Sequence, residues 1–209
     1  MVGEGTKMAT TQTNLPSVIG AVLAGGISRR MGRPKADILL RDGRSMIMHV
    51  IAQMKKVCPD MVIVGGPPVS MKGIRYLPDT TPGLGPLGGL NTLLGSGLAN
   101  AYLVVACDQP FLSPETLHLL LAGDPAIAHL FYPIPNCPID PFPGYYPAAL
   151  LPDVLNHSDA LPRGERSMQH FIQTIPVTWI PLPTSLRPCI KSLNTPADLE
   201  EHIPPVCPT

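Results

Sequence analysis

Arg29, Arg30, Arg33 and Lys35 put four cations within seven residues, directly after a glycine pair. The chain's fifteen basic and fifteen acidic residues cancel, so this cluster is a local device for holding anions and not part of a charged face. The residues before it say which anion. Val18 to Leu23 is an unbroken run of apolar residues and glycine, the pattern of a strand buried on both faces within a parallel sheet. Ala24-Gly25-Gly26 then turns without bulky side chains, so backbone N–H groups can come close to a ligand. A strand feeding a glycine turn and then cations makes a phosphate site, at the carboxyl end of a strand where open α/β sheets bind ligands. A Walker A loop is excluded, because Lys35 stands between Pro34 and Ala36 and no Gly-Lys-Ser/Thr is present there.

A second chemical group follows another buried run. Ala101 to Ala106 (AYLVVA) ends at Cys107-Asp108-Gln109-Pro110. One carboxylate at a strand terminus, beside a cationic phosphate loop, suits a magnesium–nucleotide site, since Mg2+ takes one or two carboxylates and completes its shell with waters and phosphates. Asp108 is therefore the expected metal ligand. Ser113 with Pro114 already caps the next helix, which leaves Asp108 free of that duty. No histidine is placed by sequence to activate Cys107, so it reads as a packed thiol. Gly83-x-Gly85-x-x-Gly88 fits a dinucleotide fingerprint formally, but five residues, two of them prolines, separate it from its strand, and that reading is rejected.

The elements that must position these groups are legible in outline. At 209 residues the chain suits one α/β domain, expected over residues 15–209, with Met1 to Asn14 as a disordered start. Charged residues are only 14% and prolines number 27, which points to many loops stiffened by proline. The balanced charge gives no indication of nucleic-acid or membrane binding, and the apolar stretch from Leu15 to Ala24 is too short to span a bilayer. Five scattered cysteines without metal-site spacing read as reduced thiols of a cytoplasmic protein. Further strands are predicted at Met61–Val64, Ile74–Leu77, Ala126–Phe131 and Val177–Ile180. Helices are predicted after Ser45, near Leu87, at Pro114–Leu121, through Met168 and Phe171, and at Pro196–His202. Strand, helix, strand implies parallel crossovers and a three-layer, mostly parallel α/β sandwich, Rossmann-like in layout. Asp37 to Leu40 is expected to be extended, and from Pro133 to Pro147 periodicity carries no signal.

Leu23, Ala24, Gly25, Gly26, Ser28, Arg30, Met31, Gly32 and Lys35 match the LAGGxSxRMGxxK signature, and the chain thereby resembles the MobA-like nucleotidyltransferases, the family of molybdenum cofactor guanylyltransferase. Asp79 with Gly85-Pro86-Leu87-Gly88-Gly89, Cys107-Asp108-Gln109-Pro110, Gly164-Glu165-Arg166 and Asn194-Thr195-Pro196 extend the likeness over residues 17 to 202. The resemblance implies transfer of GMP from GTP to molybdenum-bearing molybdopterin, giving the guanine dinucleotide and pyrophosphate, with Mg2+ as cofactor. It further implies GTP and molybdopterin as ligands, and molybdopterin-loading proteins and apo-molybdoenzymes as partners. In that scheme Lys35 neutralises the α-phosphate, Arg30 and the Gly25-Gly26 backbone hold the leaving pyrophosphate, and Asp108 anchors the metal. Leu23, Ala24 and Asp79 border the nucleotide, although Asp79 equally reads as a turn former before Thr80-Thr81. Arg163, Arg166 and Asn194 would meet the acceptor, against a reading of the arginines as exposed helix-start residues and of Asn194 as a cap.

Pro34, Gly65-Gly66 and Ser192 replace an Asp, an Asn and an Asn common in guanylyl-transferring relatives, which bears on base choice more than on reaction type. Rival readings are a cytidylyltransferase of the same cofactor, a sugar-phosphate nucleotidylyltransferase, and a non-catalytic nucleotide-binding partner of molybdoenzymes.

Overall fold

Strand β1 (Val18–Leu23) lies at the centre of the sheet, because five of its six residues are buried and neither face needs a polar side chain. The ribbon of β2 (Ile27–Ser28) and β3 (Arg33–Pro34) follows as a separate antiparallel pair. A computed structural model describes residues 17–25, 27–28, 33–66, 68, 71–133, 137–160 and 167–201. The N-terminal segment expected to be disordered lies outside them.

On one side of β1 stand β4 (Met61–Val64) and then β5 (Arg75–Leu77); on the other stands β6 (Ala101–Ala106), all parallel. Beyond β6 come β8 (Gly144–Pro147), β7 (Ala128–Phe131) and the edge strand β9 (Val177–Ile180), giving the order β5-β4-β1-β6-β8-β7-β9. β8 runs antiparallel to both β6 and β7, whereas β7 and β9 are parallel. The sheet is mostly parallel, as expected, with one reversed strand inserted beside its centre.

Alternation of side chains sets up the two outer layers. Ile19, Ala21 and Leu23 of β1 point to the face covered by α2 (Pro86–Gly95), α4 (Leu151–Ala160) and α5 (Met168–Ile172), joining Leu87, Leu90, Val154 and Phe171 in one cluster. Val22 and Ala24 point to the other face, covered by α1 (Met46–Met54) and α3 (Pro114–Leu121), and pack with Ile47, Val50, Leu117 and Leu120. The sequence therefore yields three layers from apolar runs in the strands and apolar stripes on the helices. The last helix, α6 (Pro196–Glu201), sits at the carboxyl end of the chain.

Several local details differ from or add to the sequence reading. The stretch 144–147, given no assignment from sequence, is a fully buried strand; Pro147 is its last residue, where a missing N–H costs the ladder least. Lys35–Asp37 forms a 3-10 turn before the chain extends, and Leu39 bridges to Ser45. Ser45 occupies the N-cap position of α1 without a side-chain cap bond. Tyr145 belongs to the core: it is buried, stacks on His129 and donates its hydroxyl to the Pro125 carbonyl.

Candidate active site

The carboxyl ends of the parallel strands β4, β1 and β6 point to the same end of the sheet, and the loops leaving them converge there. Ala24 N–H is held by the Val64 carbonyl at 2.9 Å and Cys107 N–H by the Leu23 carbonyl at 3.1 Å, so the three strand exits are stitched side by side. The turn after β4 needs two glycines: Gly65 and Gly66 both have φ of +69°, and a Cβ on Gly66 would lie 2.5 Å from the Ala24 carbonyl oxygen. That turn is pressed against Ala24-Gly25 and held by Tyr76, whose hydroxyl donates to the Gly66 carbonyl at 2.8 Å.

Lys35 is the point where three remote segments meet. Its ammonium donates to Asp108 Oδ2 and to Asn194 Oδ1, each at 2.6 Å. The Lys35 and Asp108 side chains are 20% and 14% exposed, shielded enough to strengthen the pair and open enough to meet a ligand. An ammonium has three donors, and two are engaged here, leaving one for a phosphate oxygen. The loop carrying Asn194 is fixed twice. Leu193 N–H donates to the Asp108 carbonyl at 2.8 Å, and Asp198 Oδ2 accepts from Asn194 and Thr195 N–H at 2.8 and 2.7 Å while Thr195 Oγ1 accepts from Asp198 N–H. This is a capping box on α6 with Thr195 as the cap, so Asn194's side chain is spared for Lys35. The bonds from Asn194 and Thr195, just before that helix, pull the Asp198 carboxyl below its ordinary range.

These residues form one wall of a cleft of about 770 Å3, also lined by Leu23, Gly25, Gly65, Asp79 and Gly85. Asp79 Oδ1 accepts from Thr81 N–H at 2.9 Å and from the Thr92 hydroxyl at 3.4 Å, so it both forms its turn and borders the cleft. Of the nucleotide-site residues expected from sequence, Leu23, Gly25, Lys35, Asp79 and Asp108 line the cleft, while Ala24 is buried beneath it. Gly26, Arg30, Arg163 and Arg166 lie outside the described residues. Asn194, expected on the acceptor side, belongs to the Lys35–Asp108 cluster and borders both this cleft and a second one.

That second cleft, of about 820 Å3, is walled by Phe111, Tyr132 and Phe142, with Arg187 and Lys191 among its lining. Asp140, Phe142, Ser192 and Asn194 line both cavities, so the two open onto each other. Sequence reading missed Asp140 and Phe142, which stand in the proline-rich stretch without periodicity. Asp140 keeps exposed surface toward the clefts while protein crowds its other sides. Burial pushes its carboxyl up to about 6; the Phe142 N–H bond opposes this and the Asp108 charge adds to it.

Gln109, also missed, ties these parts together. It is 0% exposed; its Nε2 donates to the Phe142 carbonyl at 2.6 Å and the Ile190 carbonyl at 3.1 Å, and its Oε1 accepts from Ala106 N–H at 3.3 Å. Cys107 beside it is inert: burial, with the neighbouring Asp108 charge, pushes the thiol up to about 12.

A divalent cation fits the donor set. Asp108 Oδ1 is buried with no hydrogen-bond partner while Oδ2 is held by Lys35, which leaves a hard anionic oxygen for a metal. Among the described residues no group of three or more His, Cys, Asp or Glu side chains converges, so any cation would rely on substrate oxygens and water as well.

Residues 20–177 match the MobA-like NTP transferase domain. The molybdenum cofactor guanylyltransferase of Rhizobium meliloti is 32% identical over 86% of this chain and 88% of its own length. The probable molybdenum cofactor guanylyltransferase of Pelotomaculum thermopropionicum is 42% identical, over 49% of this chain and half of that protein. Among solved structures, the molybdopterin-guanine dinucleotide biosynthesis protein A of Archaeoglobus fulgidus superposes with a TM-score of 0.69 over 88% of this chain and 95% of its own, at 24% identity, a likeness of fold.

Proposed function

The chain belongs to the MobA-like NTP transferase family and is a nucleotidyltransferase, and from that premise we propose that it transfers GMP from GTP to molybdenum-bearing molybdopterin, releasing pyrophosphate. The observation that carries the reading is the convergence of Lys35, Asp108 and Asn194 on a glycine-walled cleft that opens into a second, aromatic one. The first cleft takes GTP, its glycine turns admitting the phosphates close to the backbone. The second takes the acceptor, whose flat ring suits the Phe111, Tyr132 and Phe142 walls and whose phosphate suits Arg187.

No protein nucleophile is required, because a phosphate monoester is already anionic at neutral pH. Catalysis is alignment and charge neutralisation. Lys35 offers its remaining N–H to the α-phosphate, and Asp108 and Asn194 hold that ammonium in place so that no reorganisation accompanies charge build-up. Asp108 would hold Mg2+, which when bound would supply neutralisation of phosphate charge. The second cleft, open to the first, lets the acceptor phosphate approach the α-phosphorus opposite the leaving pyrophosphate. Cytoplasmic residence is proposed with this activity: Cys58, Cys107, Cys137 and Cys189 are free thiols, and no described helix is long and apolar enough to cross a membrane.

The test is binding of GTP, CTP, ATP and UTP to the purified chain with and without Mg2+, followed by product analysis with molybdenum-loaded molybdopterin. GTP preference and a guanine dinucleotide product are expected. Preference for CTP would move the product to the cytosine dinucleotide, and absence of magnesium-dependent binding would overturn the enzyme reading.

A further inference from the structure

We propose that Asp140 is the second carboxylate of the divalent-cation site that Asp108 begins, set where the two clefts meet. The inference rests on Asp108 as the metal ligand, and adds a residue that its own sequence surroundings gave no reason to single out.

Topology places the two side chains together. β6 ends at Ala106 with Asp108 just beyond it, and β8 runs antiparallel to β6, pairing Gly144 with Val104. The start of an antiparallel strand lies at the end of its neighbour, so the residues leading into β8 arrive beside those leaving β6. Gln109 fixes that approach, because its buried amide holds the Phe142 carbonyl at 2.6 Å, two residues from Asp140. Asp140 Oδ1 in turn accepts from Phe142 N–H at 3.0 Å, which orients the carboxyl and leaves Oδ2 for a ligand. The Asp108 charge reaches Asp140, and Asp140 lines both cavities.

The charged residues of the cleft's described lining are mainly acidic. Among the described lining residues of the GTP cleft, Lys35 is the one cation against Asp79, Asp108 and Asp140. A triphosphate and a phosphate-bearing acceptor must meet at this place. Carboxylates facing phosphates repel them, unless a divalent cation sits between and converts each carboxylate into a ligand. The buried, unpartnered Asp108 Oδ1 supplies one oxygen for it. Asp140, which lines both cavities, would supply another.

Mn2+ is the probe, titrated into the nucleotide-free full chain and followed by electron paramagnetic resonance, for wild type, Asp108→Asn, Asp140→Asn, Asp140→Glu and Asp140→Ala. Asp140→Asn is expected to weaken Mn2+ binding about tenfold or more, as ligand charge count sets affinity, and Asp140→Glu to restore most of it. With Mn2+ forced on at high concentration, Asp140→Ala is expected to gain one fast-exchanging water in proton relaxation, which loss of a distant charge would not produce. Equal melting temperatures for the variants keep folding out of the comparison. Wild-type Mn2+ affinity in Asp140→Asn, with loss in Asp108→Asn, overturns this proposal and leaves Asp108 as the ligand. No loss in either variant, or no Mn2+ binding by wild type, overturns the metal reading of both.

Discussion

The two halves of the sheet are built differently. From β5 through β4 and β1 to β6 every pair is parallel, the inner strands β4, β1 and β6 are near-continuous apolar runs, and the candidate site consists of what leaves the strands' carboxyl ends. From β8 through β7 to β9 one strand is reversed, and the second cleft is walled by residues from 111, 131–133, 137–142 and 184–194. In the proposed reading the first half holds the nucleotide, and its geometry is set by short turns next to strands. The second is assembled from distant loops, and its shape depends on a few side-chain ties, the fully buried Gln109 among them. A family that keeps one donor chemistry and varies its acceptors would be expected to divide its fold in this way.

The largest effects should fall on the hinge between the halves. Lys35→Ala and Asp108→Ala are each expected to cut GMP transfer on the order of a thousandfold, with circular dichroism and melting near wild type because both side chains are partly exposed. Retained turnover in either purified variant would dissolve the cluster as the centre of catalysis.

Gln109→Ala is expected next. It leaves the Phe142 and Ile190 carbonyls without their donor, costing about 2–4 kcal/mol, and it should raise KM for the acceptor more than for GTP. An effect confined to GTP would break the division between the halves. The counterpart on the donor side is Gly66→Ala. With φ of +69° and a Cβ 2.5 Å from the Ala24 oxygen, it should destabilise by about 1–3 kcal/mol and weaken GTP binding while sparing the acceptor, as titration calorimetry would show.

The smallest effect concerns thiols. Burial raises Cys107 to about 12 and Cys58 to about 11, so at pH 8 both are protonated and unreactive, becoming thiolates only as pH climbs toward those values. Ellman's reagent with mass mapping should modify exposed Cys137 and leave Cys58 and Cys107 untouched. Fast labelling of Cys107 at pH 8 would mean that the β6 exit is not packed as described.

The contrast between the halves is also a contrast in legibility. β1, β4 and β6 were readable because a strand buried on both faces leaves a contiguous apolar signature, and Gly25 and Asp108 because chemistry in such folds sits directly after those strands. Three layers, the α1 and α3 stripes and the Ser113 cap followed from spacing alone, and Ser113 Oγ does accept from Thr116 N–H at 3.2 Å. β8 was not readable: Gly-Tyr-Tyr-Pro is four residues with no alternation, and it is a strand because β6 and β7 each offer it an open edge. Asp140 was invisible for the same reason, since its position depends on that pairing.

Residue types and local spacing, then, were enough for the parallel core, for the glycine turn after β1 and for Lys35 and Asp108 as candidates, because helices, buried strands and turns are specified within a few residues. Only the folded chain decided that Lys35 meets Asp108, 73 residues away, and Asn194, 159 residues away, at 2.6 Å each. It alone decided that Asn194 serves this cluster, that Gln109 ties three segments together and that Asp140 stands between two clefts. Such contacts close long loops, and no local pattern encodes them; they exist because packing of the whole core fixes where distant loops emerge.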